Sequence, residues 1–457
     1  MHTGDILTQE KINICVATGF DEYLLTGEAS VYGAVGTEFI WEGSTAKQVV
    51  DYLKNAGAER IFLRDNRFVG LIEDYTLPLY GSESAFKPTL NEFDRHTNIC
   101  LGLYLNDGVN AIELNDEPLG VYTNHFVIMY QSIKRQAKNY NFNDIPIGVC
   151  LLPMYQGTTD VERYTIDGKS ASETTDTAWT SNQDIYELYR AYVRRYLEAM
   201  CLNGDGTRNE YSVSIRVDMY PFRESRFTGG YYATIQILAE ECARMGANAG
   251  FVIQTFNENG AYKELNEAEL YAQVHTLAGF GISDIGFFTY KPSLNNAEYG
   301  DSFLVQNDGL QLNDRYYQAQ ALMQEYKSFD EILCSFEYQG AKIYGDEQSY
   351  FYQLATEGFN NAYAFDTLES ISIEGTAVLT TELYRESDDL SMYMFQNICD
   401  SYYETTETAS VTVDFGNTTM IGVFSDGNFS VIDISSNDGA FTALLEYGET
   451  IFIIPMN

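Results

Sequence analysis

Four times in its first two-thirds the chain runs an amphipathic helix pattern into a glycine, a short linker and an apolar strand pattern. LTQEKINICVATG leads to DEYLLTGE, TAKQVVDYLKNAG to AERIFLRDN, ATIQILAEECARMG to ANAGFVIQTF, and NEAELYAQVHTLAGFG to ISDIGFFTY. Gly19, Gly57, Gly246 and Gly281 stand where a helix needs a left-handed residue to stop. Thr45 with Gln48, and Asn266 with Glu269, have capping-box spacing at helix starts. Ile235, Leu238, Ala239, Cys242 and Met245 share one helical face, as do Leu270, Val274, Leu277 and Ala278. Strand–helix alternation of this kind implies parallel pairing with right-handed crossovers.

Further strands read from IGVCLL before Pro153 and from VSIRVD before Met219-Tyr220-Pro221. Between them runs a helix striped by Ile185, Leu188, Tyr189, Tyr192, Val193, Tyr196 and Leu197. The strand patterns number seven, near Tyr23, Arg60, Ala111, Ile147, Val213, Phe251 and Ile285. A closed (β/α)8 TIM-type barrel needs eight, and the first helix starts almost at the N-terminus, so the first strand is the one not legible. The expected fold is therefore an α/β barrel over residues 1–332. From Leu333 the texture changes to short, mostly alternating segments (AKIYG, SYFYQLAT, AYAFDTL, ASVTVDFG, TTMIGVF, FSVIDIS, TIFIIP) separated by turn signals. That reads as an all-β antiparallel sandwich over 333–457, bracing the barrel. Two long stretches, about 156–184 and 292–312, are loops expected to overhang the barrel mouth.

The formal net charge of -39 disfavours nucleic acid and anionic membranes as partners and favours neutral substrates. The seven cysteines include no C-x-x-C pair and their odd number argues against a disulfide framework. The four histidines are scattered, so neither a zinc site nor another cofactor is expected. No apolar run is long enough for membrane insertion, and the polar start is not a signal peptide. The acidic, Tyr-rich, Lys-poor surface leans towards an extracellular or cell-surface location, the alternative being cytoplasmic. Oligomeric state is not legible.

The chemistry concentrates in Ala111-Ile112-Glu113-Leu114-Asn115-Asp116-Glu117-Pro118. The apolar run reads as a strand, and Pro118 ends it because proline cannot donate to the ladder. Asp116 and Glu117 then stand at a strand's carboxyl end, which in a parallel barrel faces the active site. Glu117 is the candidate proton donor for splitting a glycosidic bond. Asp218 ends another strand and is a candidate partner carboxylate. Glu258 lies just past the strand that ends at Gln254 and is the other candidate. Asp116, Tyr155, Tyr220, Gln254, Phe288 and Tyr290 are candidate sugar contacts, the aromatic ones because their faces stack on the C–H faces of sugar rings. Glu28, Asp65, Asn66 and Trp179 are weaker candidates of the same kinds.

The runs LGLYLNDGVNAIELNDEP, IPIGVCLLPMY, YELYRAYVRRYLEAM, VSIRVDMYPF and GFVIQTF resemble bacterial β-galactosidase-like glycoside hydrolases of the clan A barrel type. The order of barrel, closing helix and β-sandwich is similar too. The resemblance implies an acid/base glutamate at the end of the fourth strand, the position of Glu117, and a nucleophile glutamate at the end of the seventh. Here Gln254 occupies that second place, with Glu258 four residues on, and Asp116 replaces the asparagine that usually precedes the acid. The expected activity is hydrolysis of a β-linked neutral oligosaccharide or polysaccharide. The rival is a saccharide-binding protein on an inactive barrel. A sugar isomerase or lyase would want a metal cluster that the sequence does not offer.

Overall fold

Seven parallel strands follow one another in chain order across a single sheet: β1 (Glu22–Gly27), β2 (Arg60–Asp65), β3 (Ala111–Asp116), β4 (Ile147–Leu151), β5 (Val213–Asp218), β6 (Asn248–Gln254) and β7 (Asp284–Phe288). The computed structural model describes residues 8–27, 40–41, 44–65, 94, 97–98, 101–102, 108–120, 123–141, 145–154, 182–258, 260–288, 305–306, 311–398 and 408–456. The helices among them are α1 (Gln9–Val16), α2 (Ala46–Ala56), α3 (Thr123–Asn139), α4 (Asn182–Cys201), α5 (Tyr231–Met245), α6 (Glu267–Gly279), α7 (Asp314–Leu333) and the short α8 (Tyr350–Ala355). Gly19, Gly57, Gly246 and Gly281 all have positive φ. The Asn266–Glu269 capping box forms in full.

The sheet is curled, and its interior charges prove it. Laid flat, β1 and β7 would stand about 29 Å apart at the usual inter-strand spacing. Yet Arg216 on β5 pairs with Glu22 on β1, with Glu113 on β3 at 3.0 Å and with Asp284 on β7 at 2.9 Å. The two edges also approach directly, with the rings of Phe20 and Phe287 4.8 Å apart. This is a barrel-type sheet with seven described strands, and no eighth pairs with either edge among the described residues. Helix α7 packs beside α1, where Tyr316 donates to Ile14 O and Gln320 to Ala17 O.

The alternation of the strands now has a physical reading. Ile112, Leu114, Ile215, Val217, Phe251 and Ile253 face the helices and are fully buried. Glu113 and Arg216 face the axis and form the charged floor of the barrel, under the Phe62 ring. Gly250 makes room for that floor: a Cβ there would meet Arg216 Cγ at 2.6 Å and Asp284 Oδ2 at 2.7 Å.

Beyond α7 lie two antiparallel sheets of six and three strands. Val378, Tyr393 and Phe395 of the larger sheet meet Val411, Val413 and Leu445 of the smaller one in a second core. The opposite face of the larger sheet, with Leu379, Met392 and Met394, joins the main core against the barrel helices. Gln396 there accepts from Thr276 at 2.6 Å and donates to Ala272 O at 2.9 Å, both on α6. Two expected strand segments differ. SYFYQLAT forms α8, because Ser349 caps it by accepting from Tyr352 N at 3.1 Å. AYAFDTL is turn and irregular chain, with Asn361 just before it bonded to Ile343. Among the described residues no helix is long and apolar enough to cross a membrane.

Candidate active site at the strand tips

Strand β3 carries an irregularity that sets the site. Its register against β4 runs Glu113 to Gly148 and then Asp116 to Cys150, three steps against two. The extra residue is a bulge, and a bulge re-aims the side chains that follow it. Glu113 points to the axis, and three residues later so does Asp116. Arg64 on β2 clasps both, at 3.0 Å from Glu113 and 2.5 Å from Asp116.

Glu117 comes next with φ at +48°, in the left-handed region. Its N–H donates to Cys150 O at 2.7 Å. The turn is then clamped by the tyrosine stripe of α4. Tyr192 donates to Pro118 O at 2.6 Å and Tyr196 to Leu119 O at 2.9 Å, while Tyr189 donates to Leu152 O at 3.1 Å. A non-glycine residue is held left-handed only where its surroundings over-determine it, and such residues cluster at working sites.

Asp218 ends β5 and is partly exposed at the same rim. The Cys150 thiol donates to its Oδ1 at 3.8 Å, and the Tyr220 hydroxyl hydrogen-bonds it. Burial first, then the facing charges of Glu117 and Asp116, push the Asp218 carboxyl well above the usual carboxylate range. The structure thus brings Asp116, Glu117 and Asp218 together, with Arg64 beneath them.

Aromatic rings wall this cluster. Tyr220 lies 5.0 Å from Phe256, 5.9 Å from Tyr262 and 5.8 Å from Phe288, centroid to centroid. The Arg223 guanidinium covers the Tyr262 ring at 3.9 Å. Of these, Tyr220 and Phe288 were expected from their strand-end positions. Phe256 and Tyr262 were not, because they lie in an irregular loop with no period to read. Arg64 was legible in one respect only: it is a charge inside the apolar strand RIFLRD.

Glu258 lies in the loop after β6. It sits in a tight loop, exchanging main-chain hydrogen bonds with Tyr262 at 3.0 and 2.9 Å. The charges raising Asp218 come from Glu117 and Asp116, and the Tyr262 hydroxyl feels Glu258, Asp218 and Glu117 alike. Gln254 is fully buried and its amide is committed to main chain. It accepts from Phe222 N at 2.9 Å and donates to Phe222 O at 3.0 Å, and it also reaches the carbonyls of Phe256 and Lys263. In this setting it is the bolt of the ring-bearing loop, with both ends of its amide engaged by main chain. Replacing Gln254 with leucine is expected to cost about 1–3 kcal/mol, since it orphans the buried Phe222 N–H. Urea denaturation measures it, and an unchanged midpoint would contradict the bolt. Tyr155, Tyr290, Glu28, Asn66 and Trp179 lie outside the described residues, as does the side chain of Asp65.

No protein-family model matches the chain, and no curated protein matches it by sequence. Solved structures do. A β-galactosidase from Bacillus circulans sp. alkalophilus is 8% identical with a TM-score of 0.47, over 98% of this chain and 96% of that one. A GH30 endoxylanase from Clostridium papyrosolvens is 10% identical with a TM-score of 0.43, over 99% and 94%. A β-glucosidase from Exiguobacterium marinum is 12% identical with a TM-score of 0.43, over 70% and 86%.

Two cavities of about 300 and 290 Å³ open elsewhere, around Arg135 at the far end of α3. They lie by the strand starts, where Lys134 donates to Ile145 O, and hold none of the rim carboxylates. Among the described residues no cluster of three or more His, Cys, Asp or Glu side chains is arranged to hold a metal ion.

Proposed function

We propose that the protein hydrolyses a glycosidic bond in a β-linked, neutral oligosaccharide or polysaccharide, using Glu117 and Asp218 as its carboxylate pair. One observation carries this reading. Two carboxyl groups from different strand tips face each other closely enough for the charge of one to shift the other, beneath a wall of aromatic rings. Glycoside hydrolysis asks for such a pair, one carboxyl to protonate the departing oxygen and one carboxylate to meet the positive charge that develops at the anomeric carbon. Tyr220 and Phe288 give an apolar wall on which a sugar face can stack. The formal charge of -39 turns anionic saccharides away. The similarity of the sequence runs around Glu117 and Asp218 to β-galactosidase-like hydrolases supports the β-linkage.

The test is a panel of β-linked neutral oligosaccharides and aryl glycosides with the wild-type protein and Glu117→Gln. The variant is expected to fold and to lose about a thousandfold in kcat/KM, the scale of acid–base catalysis. Full activity in Glu117→Gln would remove the pair from the chemistry.

A second reading, a saccharide-binding protein without turnover, is favoured by Gln254. It stands where the resembling family carries its nucleophile, and it is locked in the loop below the rings. Binding of an oligosaccharide with no cleavage over days would select that reading.

A further inference from the structure

We propose that the protein binds a phosphate or phosphomonoester dianion in the 290 Å³ cavity between the end of α3 and the loop that follows α4. The site lies by the strand starts, away from the tips that carry Glu117 and Asp218, and does not depend on the hydrolase reading.

Charge is distributed unusually there. The chain carries 66 Asp and Glu against 27 Lys and Arg. Helix α3 (TNHFVIMYQSIKRQAKN) nevertheless has no acidic residue and gathers Lys134, Arg135 and Lys138 near its end. All three line the cavity, and among the described residues no carboxylate does. Two of the ammonium groups approach one ring: Lys134 Nζ lies 4.0 Å and Lys138 Nζ 5.9 Å from the centre of Tyr211. A ring face answers an ammonium weakly, by about 0.5–1 kcal/mol at exposed sites. Three like charges around one hollow repel, and an oxyanion inside it turns that repulsion into attraction.

The neighbouring carboxylates are engaged elsewhere. Asp94 lines the other cavity beside Arg135, but it accepts from Ser132 at 2.9 Å and Gln136 at 2.6 Å and forms no ion pair with Arg135. Asp205, on the loop after α4, is turned to the Thr207 hydroxyl at 2.6 Å. The total of -39 does not close the site to anions, because charges beyond about 8 Å are largely screened at physiological salt.

The negative end of α3 accounts for one cation only, Lys138 in the last turn. Lys134 is 5% exposed and donates to Ile145 O at 2.6 Å, which holds its ammonium at the cavity wall. Arg135 donates to Ser132 Oγ at 3.1 Å and makes no ion pair among the described residues. The rest of its fork suits two oxygens of one phosphate. The opposite wall is preformed. Asn209 accepts from Tyr211 N at 3.1 Å and donates to Met200 O at 2.6 Å, and its N–H donates to Cys201 O at 2.7 Å. A wall already ordered keeps the cost of binding low. A volume of 290 Å³ is near the lower end of small-molecule pockets, the size for a phosphate with a short organic group.

The experiment is calorimetric titration of the full chain with inorganic phosphate, glycerol phosphate and glycerol, at constant ionic strength set with chloride. Wild type is expected to bind both phosphates saturably at one site and glycerol not at all. Arg135→Gln and Lys138→Gln are each expected to weaken binding about tenfold, the scale of one charged hydrogen bond. Lys327→Gln, which removes an exposed cation of α7, is expected to bind as wild type does. Tighter binding of glycerol phosphate than of phosphate identifies a phosphomonoester as the ligand, and equal affinity identifies free phosphate; either supports the site. Dissociation constants above about 10 mM for both phosphates would overturn the proposal. So would unchanged affinity in Arg135→Gln and Lys138→Gln, or an equal loss in Lys327→Gln.

Discussion

Glycine in place of Glu117 is expected to give a protein that is more stable than its alanine counterpart, and on the proposed function neither should cleave a glycoside. The usual order is the opposite, because glycine loses more conformational freedom on folding than alanine does. Position 117 reverses it. With φ at +48°, any residue bearing a Cβ is strained there. The left-handed conformation costs a non-glycine residue about 1–2 kcal/mol. The extra entropy glycine loses, about 0.5–1 kcal/mol, offsets part of the relief. Glu117→Gly should therefore exceed Glu117→Ala by about 0.5–1 kcal/mol in urea denaturation, with equal m-values. Both variants lack the carboxylate, so the comparison isolates the backbone. The strain persists in the wild type because its surroundings enforce it, through Cys150 O on Glu117 N–H and through the hydroxyls of Tyr192 and Tyr196 on the next two carbonyls. If Glu117→Ala proves the more stable of the two, the turn is not left-handed in solution and the carboxylate is not aimed as described.

That turn also marks where the sequence stops being legible. Four of the seven strands could be read from a repeated pattern, since the helix before each runs into a left-handed glycine, Gly19, Gly57, Gly246 or Gly281, and the other three from short apolar runs. The Asn266–Glu269 box was readable because its two hydrogen bonds are local. The bulge in β3 was not, because Glu113-Leu114-Asn115-Asp116 alternates acceptably as a regular strand and only pairing with Gly148 and Cys150 exposes the extra residue. Strand-end position could rank Glu117 and Asp218 as candidates, yet that Arg64 is spent on Glu113 and Asp116 could not be read, because it comes from another strand. The setting of Gln254 and Glu258 was hidden for a related reason. Sequence position places them at a strand tip, but the irregular loop after β6 turns one inward as a bolt and holds the other beside Tyr262. Helix α8 was hidden because its aromatic residues have strand-like preference, and a single serine cap decides the matter.

The largest loss of stability is expected from Arg216→Met. Arg216 is 6% exposed and answers Glu22, Glu113 and Asp284 from three other strands. Methionine of similar volume would fill the space against Phe62 but leave the buried Glu113 carboxylate to Arg64 alone and take their cation from the partly buried Glu22 and Asp284. Breaking a buried pair by removing one partner costs about 3–5 kcal/mol. The pH dependence identifies the cause. Burial pushes the Glu113 carboxyl up to about 7, against the lowering pull of Arg64. A carboxyl raised in the folded state holds its proton more tightly there than in the unfolded chain. Stability is then complete in acid and is withdrawn as pH rises through about 7. Without Arg216, Glu113 rises further, so the penalty of the variant should be smaller at pH 5 than at pH 8. Adding Glu113→Gln should recover part of the loss at pH 8 and little of it at pH 5. Urea denaturation of the three proteins at both pH values measures this, and a penalty that does not change with pH would mean that Arg216 supports the floor by packing rather than by charge. The same measurement bears on the curl of the sheet, because Arg216 ties together β1, β3, β5 and β7, and its removal leaves the edges to contacts such as Phe20 on Phe287.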